Sequence, residues 1–122
     1  MVNKKSETES FLPLTPAMFH ILLALADGEK HGYAILKEVA RRTDDKVRLS
    51  AGTLYGNLAR LESSGMIVES RNRPAVVLDD ERRRYYRLTE LGRSVAVAEA
   101  RRMEEALSQA RAKHLFPETE TA

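Results

Sequence analysis

Apolar residues recur at helical spacing in four segments of the chain, and two short segments between the third and the fourth alternate in hydropathy. The first helical segment follows Thr15, a good N-cap, and Pro16, a residue favoured in the first helical turn. It is apolar on almost every side up to Asp27 and Gly28, where the helix is expected to end. A helix without a polar face belongs in the core of a domain.

The second helix is predicted to run from about His31 and Gly32 to Arg42, with His31 as a turn or cap residue. Its apolar stripe is predicted to face the core and consists of Tyr33, Leu36, Val39 and Ala40. Its polar stripe is predicted to face solvent and consists of Lys37, Glu38 and Arg41. The polar run at residues 43–46 ends the helix.

The third helix is short, with Ser50 as its N-cap and Gly65 as the left-handed residue that closes it. Its inner face is defined by three leucines at helical spacing, Leu54, Leu58 and Leu61. Its outer face is mostly polar and consists of Thr53, Tyr55, Gly56, Asn57 and Arg60. For Tyr55 the sequence leaves two positions open, one exposed on this outer face and one half-buried against the strands that follow.

The alternating segments at residues 66–71 and 84–88 are β-prone and are predicted to pair as a hairpin. In the second segment the alternation predicts that Tyr86 and Leu88 share the core face. It also predicts two outward side chains, Tyr85 and Arg87.

The connection between the two strands is rich in arginine. Six arginines lie between residues 71 and 87, against three acids that cluster at residues 79–81, where a turn is expected. Pro74 and this acidic turn allow two competing hairpins, so the register of residues 72–83 stays open. The basic segment favours contact with phosphate, and a solvated charged hairpin is the alternative.

Thr89 is a suitable N-cap for a last helix that is predicted over residues 90–115, before Pro117. This helix is longer than the preceding domain can cover, and an amphipathic helix that projects from a small domain needs a partner. A second copy of the chain is the commonest partner, so a homodimer is expected. Its interface is predicted along one apolar stripe, formed by Leu91, Val95, Ala98, Met103, Leu107 and Ala110.

The ends of the chain are polar and lack apolar periodicity. Residues 1–10 and 117–122 are therefore predicted to be disordered tails. Between them, residues 11–89 form one predicted domain and residues 90–116 the dimerisation helix. With 122 residues, of which 43% are hydrophobic, the chain can build one modest core.

Composition excludes several function classes. The chain has no cysteine, which excludes disulfides, thiolate catalysis and cysteine-based zinc sites and fits a reducing cytoplasm. No apolar run approaches the ~20 residues that span a bilayer, so we expect a soluble cytoplasmic protein without a membrane partner. The three histidines lie far apart, and no phosphate-binding glycine loop or nucleophile elbow occurs. Neither an enzyme nor a cofactor is expected.

A short helix, a sharp stop and a basic hairpin, in that order, are what a winged helix-turn-helix requires. The predicted fold is therefore mainly α with a small β-hairpin, an α+β winged helix-turn-helix with a C-terminal dimerisation helix. The expected partner is double-stranded DNA, with the third helix in the major groove. The candidate DNA-binding residues are Lys37, Ser50, Thr53, Tyr55, Asn57, Arg60, Arg82, Arg83 and Arg84.

These candidates are expected to have different roles. Ser50 lies at the start of the third helix, where free N–H groups and the helix dipole favour a phosphate. Thr53 and Asn57 are short and polar, so they are candidates for contacts with base edges. The remaining candidates are expected on the DNA backbone and in the flanking minor groove. They are Lys37, Tyr55, Arg60 and the hairpin arginines Arg82, Arg83 and Arg84.

Three motifs in this order resemble the PadR-type transcriptional regulators, over roughly residues 14–93. They are His31-Gly32-Tyr33, Gly52-Thr53-Leu54-Tyr55, and Arg84-Tyr85-Tyr86 followed by Leu88-Thr89-Glu90. The resemblance implies a bacterial or archaeal winged-helix protein, usually a repressor, that dimerises through its C-terminal helix and binds a palindromic operator. It also implies that Thr53 and Tyr55 lie at the DNA surface. Gly56 stands where such relatives often have proline.

The resemblance leaves the small-molecule effector unknown. Some relatives release DNA when a planar aromatic compound binds near the dimer interface. In this chain the predicted dimer helix has no aromatic residue before Phe116, and tryptophan is absent, which argues against an aromatic effector.

A winged-helix module that binds another protein is the competing interpretation, because the fold alone does not determine function. The arginine-rich hairpin and the polar outer face of the third helix favour DNA. A steep fall of affinity with salt would distinguish DNA binding from protein binding.

Overall fold

The computed structural model describes residues 4–70 and 84–116, with side chains from residue 7 onward. In this part of the chain the helices and strands follow one another as α1 (Lys4–Glu9), α2 (Pro16–Ala24), β1 (Lys30–His31), α3 (Gly32–Arg42), α4 (Ala51–Ser63), β2 (Ile67–Glu69), β3 (Tyr85–Leu88) and α5 (Glu90–Ala112). The first, second, third and last helices predicted from the sequence correspond to α2, α3, α4 and α5. The predicted fold class, mainly α with a small sheet, is confirmed.

Helix α2 lies in the core, as its apolar sequence predicts. Thr15 caps it by accepting a hydrogen bond from the Met18 N–H at 3.2 Å, and Pro16 occupies the first turn. Ile21 and Leu22 are completely buried. The helix ends at Ala24, and Gly28 follows with φ of 149°, a backbone conformation that favours glycine.

Helices α3 and α4 form the helix-turn-helix. The Nδ1 atom of His31 accepts a hydrogen bond from the Ala34 N–H at 3.2 Å, so His31 is the N-cap of α3. Ser50 caps α4 in the same way through the Thr53 N–H at 3.0 Å. The leucines of the predicted inner face are all buried, namely Leu54, Leu58 and Leu61. Gly65 has φ of 81° and ends α4, as predicted.

The sheet has three antiparallel strands in the order β1-β3-β2. Tyr86 of β3 pairs with Lys30 of β1, while Leu88 pairs with Ile67 of β2. Tyr86 is buried, as its place in the alternation predicts. The predicted pairing of the two alternating segments is confirmed by β2 and β3, and the sheet has in addition a third strand, β1, which the sequence analysis does not predict. A strand of two residues is too short to show a periodic pattern, and it forms only because β3 lies beside it.

Two side chains of α3 lie opposite to their predicted positions. Tyr33 is 58% exposed, although the sequence predicts it in the core, whereas Ile35 and Val39 take the buried positions. Glu38 is buried, although the sequence predicts it in solvent. Its carboxylate pairs with Arg42, and Lys30 Nζ lies 3.5 Å from its Oε1 atom. The positive charges of Lys30, on β1, and of Arg42, one helical turn after Glu38, compensate for the burial of this carboxylate.

Lys30 also fastens β1 to the end of α2. Its ammonium donates a hydrogen bond to the carbonyl oxygen of Ala24 at 2.8 Å and lies 2.5 Å from the Asp27 carboxylate. This ammonium holds the pKa of Asp27 below its usual value, through the hydrogen bond and the opposite charge. One lysine thus connects α2, β1 and the buried Glu38 of α3.

The prediction of a disordered tail at residues 1–10 is wrong for its described part, where α1 forms and packs on α5. The chain next to it is held by Glu99, whose Oε2 atom accepts a hydrogen bond from the Leu14 N–H at 2.9 Å. Both α1 and Leu14 thus contact α5, which lies far away in sequence, so local composition gives no sign of these contacts. The tail predicted at residues 117–122 lies outside the described residues.

Helix α5 begins at Glu90, with Thr89 as its N-cap, and ends at Ala112, three residues before the predicted end. His114 has φ of 62°, and the Leu115 N–H donates a hydrogen bond to the carbonyl oxygen of Ala110 at 3.0 Å. This pattern is a Schellman motif with histidine in the place of the usual glycine. A left-handed histidine carries no clear sequence signal, which explains the difference.

Candidate nucleic-acid interface

The outer face of α4 is open to solvent along the length of the helix. Thr53, Tyr55, Gly56 and Arg60 are exposed, and Asn57 is half-buried. The buried leucines on the other side fix this orientation, because each contributes its whole side chain to the core. A rigid helix with one polar face outward has the shape that a major groove admits.

Two glycines make part of this face flat. A Cβ atom added at Gly52 or Gly56 would have no neighbouring atom within 4 Å. Neither glycine is therefore required by packing within the chain, although glycine in a helix costs about 1 kcal/mol relative to alanine. The backbone of α4 is accessible at these two positions, one turn apart.

The polar side chains of α4 also bond to one another. Ser50 Oγ donates a hydrogen bond to Thr53 Oγ1 at 2.9 Å, and Asn57 Nδ2 donates to the Thr53 carbonyl oxygen at 2.8 Å. Ser50 is thus engaged as the cap of the helix. These hydrogen bonds fix the polar groups of the first two turns of α4 in one arrangement. Selective contact with base edges requires polar groups that are preorganised in this way.

Tyr55 is 52% exposed and packs at the start of α3. A Cβ atom added at Gly32 would lie 2.6 Å from the Tyr55 hydroxyl oxygen. Gly32 therefore gives the tyrosine ring its place between α4 and α3. The sequence leaves open whether Tyr55 is exposed or half-buried against the strands. In the structure it is exposed, and its ring contacts the start of α3.

Lys37 is exposed on α3, with its Nζ atom 5.3 Å from the centre of the Tyr33 ring. This distance is within the range of a cation–π interaction. The pair lies one helical turn apart on the same face. The sequence predicts Lys37 in solvent and Tyr33 in the core, because tyrosine at helical spacing from Leu36 and Val39 resembles a core residue.

The described part of the wing, which we define as β2, β3 and their connection, is held against the helix-turn-helix by His31. The His31 ring meets the Tyr85 ring edge-on, with 5.3 Å between the ring centres. Tyr85 is therefore half-buried, and its predicted outward position is only partly correct. Burial raises the pKa of the neighbouring Tyr86 phenol above its usual value, so this side chain stays neutral.

The arginines of the wing are only partly described. Arg84 is exposed and its Nε atom lies 4.0 Å from Glu69 Oε1, at the limit of an ion pair, and Arg87 is also exposed. Two candidate residues, Arg82 and Arg83, lie outside the described residues, as does the open register of residues 72–83. Of the described arginines, Arg84 directly precedes β3, and Arg87 lies within β3 opposite Val68 of β2.

The stripe predicted as the dimer interface divides into two halves. Val95 has no exposed surface and belongs to the chain's own core, so it offers nothing to a partner, and Leu91 packs against the same core. Ala98 lines a groove between α5 and α1. The second half projects beyond the domain, where Leu107 is 48% exposed and Met103 and Ala110 are half-buried.

A second apolar surface continues from this exposed half. Ala96 and Ala100 of α5 lie beside Phe19 and Leu23 of α2 around a cavity of about 180 Å³. At helical spacing, Ala96, Ala100, Met103, Leu107 and Ala110 follow one face of α5. The apolar face of α5 is therefore rotated from the predicted stripe, because α1 and the core already cover the stripe's first half.

In the described part of the chain, no helix combines the length and the apolar character that are needed to cross a membrane. Among the same residues, no three acidic or histidine side chains converge where they could hold a metal ion.

A buried helix, a helix-turn-helix and a small antiparallel sheet define a winged helix-turn-helix protein. Residues 21–98 match the model of the Transcriptional regulator PadR-like family. The chain belongs to this family of transcriptional regulators.

Known proteins are similar to this chain in sequence and in fold. Transcriptional regulator Rv3488 of Mycobacterium tuberculosis is 40% identical over 86 residues, which cover 70% of this chain and 74% of that protein. A PadR family transcription regulator from Clostridium difficile superposes with a TM-score of 0.69 at 24% identity, covering 84% of this chain and 100% of the other. Bacillus subtilis PadR in complex with operator DNA superposes with a TM-score of 0.58 at 22% identity, covering 70% and 47%. At these identities the two structures show the fold.

Proposed function

We propose that this regulator acts as a homodimer that binds DNA, with α4 in the major groove and the wing on the flanking backbone. The observation that carries the proposal is the outer face of α4, which is polar, exposed at most of its positions and flat at two glycines. The solved complex of Bacillus subtilis PadR with operator DNA, which has the same fold, supports the choice of DNA as partner.

Each part of this surface has a chemical role in the proposal. Thr53 and Asn57 contact base edges, where a threonine methyl suits a thymine methyl and an asparagine amide suits adenine. Tyr55 and Arg60, at other positions of the same helix, contact phosphates. Lys37 on α3 and the wing arginines Arg82, Arg83 and Arg84 neutralise the flanking backbone.

Two-fold symmetry determines the form of the operator. A homodimer presents two copies of α4 related by a two-fold axis, so its operator is a palindrome with half-sites about one helical turn of DNA apart. We infer repression as the regulatory outcome, because a dimer that occupies a promoter excludes RNA polymerase from it.

The dimer is proposed to form through the face of α5 that contains Ala100, Met103 and Leu107. Leu107 is the largest exposed apolar side chain within this helix, and the cavity beside Ala100 and Phe19 lies two turns before it on the same face. A two-fold axis near Met103 would bring Leu107 of each copy towards this cavity of the other. Such self-complementarity is what an isologous interface requires.

Gly56→Ala tests the position of α4. The added methyl has open space in the free protein, so alanine should stabilise the fold by about 1 kcal/mol. In the complex the same methyl would meet the floor of the major groove, and we expect affinity to fall about tenfold. Thermal unfolding and titration of an inverted-repeat fragment from upstream of the gene, at two salt concentrations, measure both effects.

Gln109→Ala is the matched control, because it changes an exposed residue of α5 away from the proposed surfaces and should leave DNA affinity unchanged. A Gly56→Ala protein that binds as tightly as wild type would contradict the placement of α4 in the groove. A wild-type protein that binds neither this fragment nor random DNA at low salt would instead indicate a protein-binding module.

Leu107→Glu tests the dimer. Introducing a carboxylate into an apolar interface should raise the dissociation constant of the dimer about tenfold or more, since the charge must be desolvated twice. Ala106→Glu adds the same charge one residue away, on another exposed face, and should leave the dimer intact. Light scattering across a concentration series reports the mass. Equal masses for the two variants would exclude this face.

A further inference from the structure

Tyr33 is a large aromatic side chain that α3 leaves in solvent. Its ring is 58% exposed, and in the described part of the chain its hydroxyl has no hydrogen-bond partner. The side chain therefore contributes little to the core. Its ring makes a cation–π contact with Lys37, whose ammonium lies 5.3 Å from the ring centre.

The place of Tyr33 in the fold connects it to the outer face of α4. The preceding residue, Gly32, is buried against the Tyr55 ring, which extends from α4 across to the start of α3. The first turn of α3 therefore adjoins the edge of α4 that carries Tyr55. The other edge of α4 carries Asn57, so Tyr33 and Lys37 lie outside the surface assigned to base edges.

We propose that Tyr33 and Lys37 together bind one phosphate of the DNA backbone, with the tyrosine hydroxyl donating a hydrogen bond and the lysine supplying the positive charge. The inference rests on the proposed DNA binding and adds to it a residue on α3. A phosphodiester oxygen carries negative charge and only accepts hydrogen bonds, so it complements a neutral donor beside a cation. The first helix of a helix-turn-helix crosses the backbone, where such a phosphate lies.

The cation–π contact has a specific role in this arrangement. The Tyr33 ring restricts the flexible lysine side chain to positions above its face, so that less conformational freedom is lost when the phosphate binds. The ring is needed for this restriction, and the hydroxyl is needed for the hydrogen bond. The two functions can therefore be separated by substitution.

Tyr33→Phe removes the hydroxyl and leaves the ring beneath Lys37. We expect affinity for both the inverted-repeat fragment and a random duplex of equal length to fall about tenfold, because a phosphate contact is independent of sequence. The slope of log affinity against log salt should stay unchanged, because the hydroxyl releases no counterion. Thermal unfolding should also be unchanged, since the hydroxyl is in solvent.

Lys37→Gln should lower affinity for both duplexes and reduce the salt slope by about two, roughly one for each copy of Lys37 in the homodimer. Lys113→Gln removes the same charge from the exposed end of α5 and should leave the slope as in wild type. An equal slope change in the two glutamine variants would attribute the effect to net charge and overturn the assignment of Lys37.

The outcomes separate the inference from the function on which it rests. Salt-dependent binding by the wild type, together with unchanged affinity of Tyr33→Phe, would overturn the phosphate contact and leave DNA binding in place. A loss confined to the inverted-repeat fragment would also overturn it, since it would assign Tyr33 to a base. A wild type that binds neither duplex would refute the proposed function itself, and the inference with it.

Discussion

Gly92→Ala is expected to lower the free energy of unfolding by about 3 kcal/mol or more. A Cβ atom at this position would lie 1.9 Å from the carbonyl oxygen of Met66, which is backbone. That carbonyl has little freedom to move, because it accepts a hydrogen bond from the Thr89 N–H at 3.1 Å. Thr89 in turn donates to the Gly65 carbonyl oxygen at 2.6 Å. The first turn of α5 and the start of β2 would have to separate.

Urea denaturation at one fixed protein concentration measures this effect, since the stability of a dimer depends on concentration. Gly56→Ala is the matched control, with the same chemical change at a helical glycine that has open space around it. The two variants should shift the midpoint in opposite directions. Equal midpoints for Gly92→Ala and wild type would mean that α5 is not in contact with Met66.

Much of the helical framework can be predicted from sequence because its determinants are local. Thr15, Ser50 and Thr89 each cap a helix through an N–H three residues ahead, so the cap and its partner lie in the same short segment. The inner face of α4 is also local, since three leucines at helical spacing define it. The polar outer face of α4 follows from the inner one, which is why most candidate residues there are exposed.

The misplaced residues depend on contacts that are distant in sequence. The segment that resembles a disordered tail forms α1, which packs on α5 at the other end of the chain. The positive charge of Lys30 compensates for the burial of the Glu38 carboxylate. Lys30 lies in β1, which is too short to be recognised in the sequence. The part of the α5 stripe that stays free likewise depends on what α1 and α2 cover. Spacing in the sequence shows that a stripe exists, and only the packed chain shows which half is occupied.

Glu99→Ala is expected to lower the free energy of unfolding by about 3 kcal/mol. The side chain of Glu99 is 1% exposed and accepts hydrogen bonds from Arg102 Nε at 2.5 Å and from the Leu14 N–H at 2.9 Å. Alanine would leave that N–H without its acceptor and would leave a cavity between α5 and the segment before α2. Glu104→Ala, at an exposed glutamate of the same helix, is the control and should change stability little.

The pH dependence tests the charge of Glu99 separately. Its hydrogen bond with Arg102, together with the Leu14 N–H, holds the pKa of this carboxyl below its usual value despite burial. A lowered pKa in the folded state means that the carboxylate stabilises the fold above the unfolded pKa of about 4.3 and loses this contribution as the pH falls through the folded pKa. The stability difference between wild type and Glu99→Gln should therefore be largest near neutral pH and shrink below about pH 4. A difference that is independent of pH would show that the charge of Glu99 contributes nothing to stability.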